Sequence, residues 1–492
     1  SSISVCASVF SNGNKPNDMP SIASTSKVLI TVLQITQLLI LTRFLAPEDF
    51  GIMAIIMVVI GFCSILSDGG ISKVLIINDD LTKGQLATLY WLNIIIGFLL
   101  TLLLYLAAPL VAIFYENQQL SGLLKAVSIS FLVIALSNQY KMLMEKEFKF
   151  DVLAKIEMLS NILSFVFTLY FAYLGYGVYA LVYGYLITIT CSSLLILIVN
   201  YHQLHFALIF DFFSIRKYLS FGLYQVGERT INYLSSQTDI IIIGKLLGVE
   251  VLGIYSLAKN LVGRPLQILL PMVIRVLLPY FAKLKETPKT LEAEFLKAIN
   301  LISTVTFLLF SCLSLFSEQI FSILFINEWR DAAPIFSLLC IHAMFLSHAS
   351  PIHLLFLTKG RADIGFKWNL LMLFVIPPYL YGMAHFSIEI IALSLILLRI
   401  LQLYPGWWFL VKPVSAISFQ EYVYSLLKPL LSVSFAMLFT WYCVNYIDNT
   451  WLGLSLGTVI LFFTYSIATY YFNKKAFYTV KLLITKTFKG QR

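Results

Sequence analysis

Gln225, Glu228, Asn232, Ser235 and Asp239 follow one another at offsets of 3, 4, 3 and 4 within a mostly apolar stretch. That spacing gathers all five on one face of a helix. Two carboxylates among neutral hydrogen-bonding groups can hold a cation or carry a proton. Four bases stand in comparable runs: Lys27, Arg229, Lys259 and Arg264. Lys27 opens a second polar stripe with Thr31 and Gln34, and Gly263, Pro265 and Pro271 mark a weakened helix around Arg264. The chemistry these groups suit is capture of an anion by the bases, with Glu228 and Asp239 as candidates for coupling to H+ or Na+. No other cofactor is expected.

Two readings fit the stripes. In one, they line a water-filled vestibule whose surplus positive charge meets an anionic substrate. In the other, Glu228 and Asp239 lock neighbouring helices together, while bases near the span ends, including Lys27, Arg43, Lys245 and Arg275, snorkel to lipid headgroups. Ionisable groups within a membrane cost at least ~2.5–3.5 kcal/mol near its centre, so either reading gives them a cavity or a partner.

The elements that position these residues follow from hydropathy. The 492 residues are 59% hydrophobic and 12% charged, with a mean hydropathy of +0.86; soluble domains carry about 25% charged residues. Apolar runs of membrane-spanning length recur throughout. They predict an all-α polytopic membrane protein with about fourteen spans, at residues 22–45, 50–67, 86–114, 122–141, 152–173, 178–200, 217–244, 252–281, 294–325, 332–357, 364–386, 388–411, 423–446 and 450–472. Residues 1–21 form a polar tail without the charged start and apolar core of a signal peptide, so the first span is expected to be retained. The chain starts on Ser rather than Met, which leaves room for an upstream piece.

Lys and Arg concentrate in the loops after even-numbered spans and in the tail 474–492. The positive-inside rule then places both termini in the cytoplasm. This spread of bases accounts for the net charge of +9 through contact with membrane lipids, and no concentrated basic domain points to nucleic acid.

An internal repeat organises the spans. Arg43-Phe44-Leu45-Ala46-Pro47-Glu48-Asp49-Phe50-Gly51-Ile52 is matched 202 residues later by Lys245-Leu246-Leu247-Gly248-Val249-Glu250-Val251-Leu252-Gly253-Ile254. The same offset pairs Lys27 with Arg229 and Gly61 with Gly263. Six spans separate the copies, so the halves share one orientation, the parallel type of transporter repeat. The expected organisation is an N-lobe at 22–210, a C-lobe at 211–411, two extra spans at 412–473 and a basic cytoplasmic tail at 474–492.

Other clusters carry less. His342, His348 and His353 share a span, with 342 and 353 on one face, but no local carboxylate or thiolate completes a metal site. They are expected to be hydrogen-bonded or cavity-facing. His202, His205 and the Asp79-Asp80 pair belong to polar loops. The cysteines lack metal or disulfide spacing. With no long loop, phosphate-binding loop or nucleophile elbow, the chain is not expected to be an enzyme. The alternatives are a drug or small-cation exporter, which would favour acids over bases, and a membrane-embedded glycan polymerase or ligase, which would usually present a large external loop.

Leu41-Thr42-Arg43-Phe44-Leu45-Ala46-Pro47-Glu48-Asp49-Phe50-Gly51 resembles the first loop of the bacterial polysaccharide-transport, or oligosaccharide flippase, family of the Wzx type. Ser67-Asp68-Gly69-Gly70-Ile71, Tyr90-Trp91-Leu92-Asn93, Gly248 to Tyr255 and Arg275-Val276-Leu277-Leu278-Pro279 also fit it, in order and spacing. The branch resembled includes colanic-acid and teichuronic-acid exporters, within the multidrug/oligosaccharidyl-lipid/polysaccharide exporter superfamily. The resemblance implies two six-helix lobes and a central cavity, with an undecaprenyl-diphosphate-linked repeat unit as substrate, flipped by alternating access. Lys27, Arg229, Lys259 and Arg264 would then contact the diphosphate or acidic sugars, and a polysaccharide polymerase and export machinery are candidate partners. The chain departs from the family at Ala46-Pro47, where glycine is usual after the leucine, and at Gly70, where leucine is frequent.

Overall fold

The computed structural model describes residues 19–68, 75, 81–201, 211–447 and 449–489; the side chains of 19–25, 68, 212–225, 272 and 483–489 are not described. Asp79-Asp80, His202 and His205 lie outside the described residues, as does the side chain of Gln225.

Among the described residues the protein is helical and contains no strand. A backbone in hydrocarbon has no water to bond with, and a helix satisfies its N–H and C=O groups internally. The helices are α1 (Met19–Leu41), α2 (Pro47–Asp68), α3 (Lys83–Phe114), α4 (Gln119–Lys146), α5 (Phe150–Tyr173), α6 (Val178–Val199) and α7 (Phe212–Leu246). They continue as α8 (Val249–Lys283), α9 (Pro288–Leu315), α10 (Ala332–Thr358), α11 (Ala362–Met383), α12 (Ile388–Leu401), α13 (Phe419–Val444), α14 (Thr450–Phe472) and α15 (Lys474–Lys489).

Ten of these, α2–α6, α8–α10, α13 and α14, are each long and apolar enough to cross a membrane; counted as one span, α12 with its bent continuation Leu403–Val411 makes an eleventh. Of the other expected spans, the described part of α1, Ser26–Leu41, is apolar but shorter than that measure requires, and the described residues of α7 and α11 do not meet it. In α7 the cause is the polar stripe itself. The span expected at 294–325 is not one helix: α9 stops at Leu315, Phe316 breaks the helix, and a short helix follows at Ser317–Leu324. The buried Phe316 ring lies where a side chain on Gly457 of α14 would stand, only 2.5 Å from an added Cβ.

The described residues fall into two compact units. One contains those of Pro16–Ser256 with Met372–His385, and the other those of Leu257–Leu371 and Phe386–Arg492. In the first, α3 packs on α4, α5 on α6, α4 on α6, α1 on α5 and α2 on α7. Small residues allow the close approach. A Cβ on Gly97 would stand 2.9 Å from the Phe131 carbonyl oxygen, and one on Gly184 would collide with Thr168. Hydroxyls bind the same seams: Ser164 donates to the Gly184 carbonyl at 2.8 Å and Thr101 to that of Ser128 at 3.0 Å. Such interhelical bonds replace the hydrophobic drive that lipid removes.

In the second unit α9 packs on α10 and α13, α10 on α12, and α13 on α14. The pairings α9–α10 and α10–α12 reproduce α3–α4 and α4–α6 six helices later. The basic tail is also ordered where described: α15 returns against α9, and Asn473 at its start donates to Asn300 Oδ1 at 2.9 Å and Thr304 Oγ1 at 3.1 Å.

The repeat motif marks the starts of α2 and α8. Pro47 begins α2 with Glu48 and Asp49 in its first turn, and Asp49 accepts from the Ala46 N–H at 3.1 Å. Val249 begins α8 with Glu250. Acids there meet the positive end of the helix dipole. Between them, α7 is closed by Gly248, whose φ of +87° suits glycine.

Candidate translocation site

The polar face of α7 is graded in burial. Glu228 and Ser235 are half-buried, Arg229 and Asn232 are exposed, and Asp239 is buried. On α1, Lys27 is exposed and Gln34 half-buried. These residues belong to the first unit; Lys259 and Arg264, both half-buried, belong to the second.

Their engagements differ. Among the described residues Lys27, Glu228, Asn232 and Ser235 have no ion pair or hydrogen bond from their side-chain polar groups, the condition of a face open to water or substrate. Gln34 instead donates to Asn161 Oδ1 of α5 at 3.2 Å, and Asn161 is itself held by the Glu157 carbonyl at 2.7 Å. Asp239 accepts a short hydrogen bond from the Tyr255 hydroxyl and the N–H of Ile240 at 2.9 Å. Tyr255 is fully buried in the second turn of α8, so the carboxylate ties the end of α7 to the start of α8.

A second contact sets the rotation of α7. The Tyr233 hydroxyl lies against Gly61 of α2 and donates to the carbonyls of Val58 at 3.1 Å and Met57 at 3.4 Å. A Cβ at Gly61 would overlap that oxygen. Outside the spans, Lys245 at the end of α7 donates to Glu116 Oε1 at 2.7 Å. That hydrogen bond, and then the charge of Lys245, holds the Glu116 carboxyl below its ordinary range.

The histidines in the spans are engaged. His348 shares a 2.8 Å hydrogen bond with Tyr422 of α13, both buried. His342 accepts from Arg399 of α12 at 3.3 Å. His353 meets the Phe356 ring edge-on. Arg399 is a polar candidate that the stripes of the sequence do not single out. Its signal there is an arginine in the middle of an expected span, at residues 388–411. No group of three or more His, Cys, Asp or Glu suited to a metal occurs among the described residues.

A family model described as polysaccharide biosynthesis protein matches residues 40–334. The chain is 32% identical to the teichuronic acid biosynthesis protein TuaB of Bacillus subtilis (strain 168), covering 83% of this chain and 84% of that one. It is 28% identical to the lipopolysaccharide biosynthesis protein WzxC of Escherichia coli (strain K12), covering 83% of each. Among solved structures, the lipid II flippase MurJ in an inward closed conformation superposes with a TM-score of 0.73 at 14% identity, over 92% of this chain and 98% of that one. The helical fold is therefore that of a known membrane transporter, and the family match extends from the end of α1 to the start of α10. The chain belongs to the polysaccharide biosynthesis protein family.

Proposed function

We propose that this multi-pass protein flips undecaprenyl-diphosphate-linked oligosaccharide repeat units from the cytoplasmic to the outer leaflet of the bacterial inner membrane by alternating access, for export of surface polysaccharide. The observation that carries the reading is the match to TuaB along five-sixths of both chains. The fold shared with a lipid II flippase supports it, because that protein is named for flipping a lipid. The chain is a transporter rather than an enzyme. Both termini lie in the cytoplasm, as the distribution of Lys and Arg favours.

Lys27, Arg229, Lys259 and Arg264 are assigned to the diphosphate or acidic sugars. Glu228, a half-buried carboxylate without an ion-pair partner among the described residues, is the better candidate for coupling to H+ or Na+. Asp239 serves the α7–α8 contact as well. The lobes are residues 22–210 and 211–411, and a polysaccharide polymerase with its export machinery would take the flipped unit.

The test is reconstitution of the full chain into proteoliposomes holding a labelled lipid-linked repeat unit, read as access of an impermeant glycan-modifying reagent to the far leaflet. Transfer dependent on the protein supports the reading. Elongation of the glycan by the purified chain, or no transfer in any imposed gradient, overturns it.

A further inference from the structure

His342 stands deep in α10, and Arg399 stands in the last turn of α12, midway along the span that α12 forms with its bent continuation Leu403–Val411. Counted at 1.5 Å of rise per residue, each lies roughly 15 Å from the start of its helix, near the middle of a hydrocarbon layer about 30 Å thick. A charge at that depth needs a partner or a water-filled path.

The protein supplies two uncharged partners. Arg399 Nε donates to His342 Nε2 at 3.3 Å, and Nη1 donates to Gln402 Oε1 at 3.1 Å. A histidine that accepts at Nε2 is neutral and carries its proton on Nδ1. Among the described residues no carboxylate is within ion-pair distance of Arg399, and the remaining guanidinium N–H donors have no protein acceptor. Among those residues no acid offsets the positive charge.

The side chain does not reach for the lipid surface. Leu393, Leu397, Ile400, Leu401 and Tyr404 are all exposed and mark the outer face of this span. At 100° per residue, Arg399 and Gln402 fall on the opposite side, about 150° from the centre of that stripe. There α12 packs against α10.

The helix also breaks at this point. Ile388–Leu401 and Leu403–Val411 meet at 42°. Pro405 lacks the N–H that would bond to the Leu401 carbonyl, which frees that group and bends the chain. The segment Trp407–Val411 then continues as a π-helix. Interrupted helices at mid-membrane depth are where transporters build ligand sites.

We propose that Arg399, oriented by His342 and Gln402, forms an intramembrane anion site that takes a phosphate or carboxylate group through the open edge of its guanidinium. A planar fork matches either oxyanion with two parallel hydrogen bonds. Its residues are not among the four bases assigned above. Its assignment to a moving glycan lipid rests on the flippase reading, and the anion chemistry does not. The anion's source is the diphosphate or an acidic sugar of the transported unit.

Calorimetric titration of the purified full chain with pyrophosphate and with glucuronate tests this. Wild type should bind one of them saturably, and which one identifies the source. Arg399→Gln should weaken that binding about 10- to 100-fold, the range for a charge-assisted hydrogen bond. Arg399→Lys should retain part of the affinity, and His342→Gln should fall between. If Arg399→Gln does not purify as a monodisperse protein, Arg399→Lys and Gln402→Leu carry the comparison. Failure of wild type to bind either probe, or equal binding by all variants, overturns the site. Transport by wild type is scored separately. Binding without transport would keep the site and remove the flippase reading, and transport indifferent to variants that lose binding would keep both the site and that reading but overturn the assignment of its anion to the transported unit.

Discussion

Gly51 and Gly253, equivalent positions of the internal repeat, lie against each other's helices: a Cβ on Gly51 would overlap the Val249 carbonyl oxygen, and one on Gly253 would overlap that of Pro47. Pro47 and Val249 are themselves equivalent under the same offset. The contact thus maps onto itself under the repeat. It lies at the first turns of α2 and α8, where backbones meet with no side chain between them.

Substitution there should be costly at either glycine. Gly51→Ala and Gly253→Ala should each destabilise by about 1–3 kcal/mol, the usual range for forcing an added methyl into a packed seam. Larger side chains should prevent folding. The pair should be non-additive, because the first substitution already separates the helices. Thermal unfolding in detergent, followed by loss of the monodisperse chromatographic peak, measures it.

A similar argument applies to Gly61 and Tyr233, with a means of rescue. Gly61→Ala drives its methyl into the Tyr233 hydroxyl and should lower the unfolding temperature. Tyr233→Ala alone should also be destabilising, by about 1–3 kcal/mol for a half-buried ring. Combined, the two should cost less than their sum. A strictly additive double mutant would show that the ring does not sit against Gly61.

Asp239 and Tyr255 form one unit and should fail as one. Tyr255→Phe leaves a buried carboxylate short of a donor and should cost about 1–3 kcal/mol. Asp239→Asn, which keeps an acceptor, should cost less than Asp239→Ala. Transport that survives Tyr255→Phe with its pH dependence unaltered would leave Asp239 a structural tie. A shifted pH profile would make it part of coupling.

Glu116 and Lys245 give a pH-dependent contact outside the spans. The Glu116 carboxyl is held below its ordinary value by the hydrogen bond from Lys245. Its contribution is therefore complete above the usual carboxylate range and is lost as pH falls through the lowered folded value. Glu116 is exposed, so salt should screen the effect. The stability difference between wild type and Glu116→Gln should shrink on acidification and in high salt. A difference constant across pH would contradict the pairing.

Much of the fold was legible because hydropathy reports burial in lipid directly, and because the repeat carries scarce residues in register: an acid, a base and glycine. The structure gives those matches a cause, since Glu48 and Glu250 sit at helix starts while Gly51 and Gly253 form the crossing. What one strand of sequence cannot express is which helix faces which. Gln34 and Asn161 meet only through the packing of α1 on α5. Asp239 reads identically as a cavity carboxylate and as a tie to Tyr255. The break at Phe316 stands beside Ser317-Glu318-Gln319, which could be read in sequence, but the room that Gly457 of α14 leaves for the Phe316 ring could not. Arg399 was visible, but its pairing with His342 needs the seam between α10 and α12.

The reciprocal glycine contact has the form of a dyad interface between identical subunits, in which each partner presents the same patch to the other. Here a single polypeptide supplies both patches. A separate half-length chain bearing only the first motif would hold the surface needed to pair with its own twin. Fusion into one chain releases the two patches from having to stay identical, and proline at 47 opposite valine at 249 is a divergence that a symmetric dimer could not make.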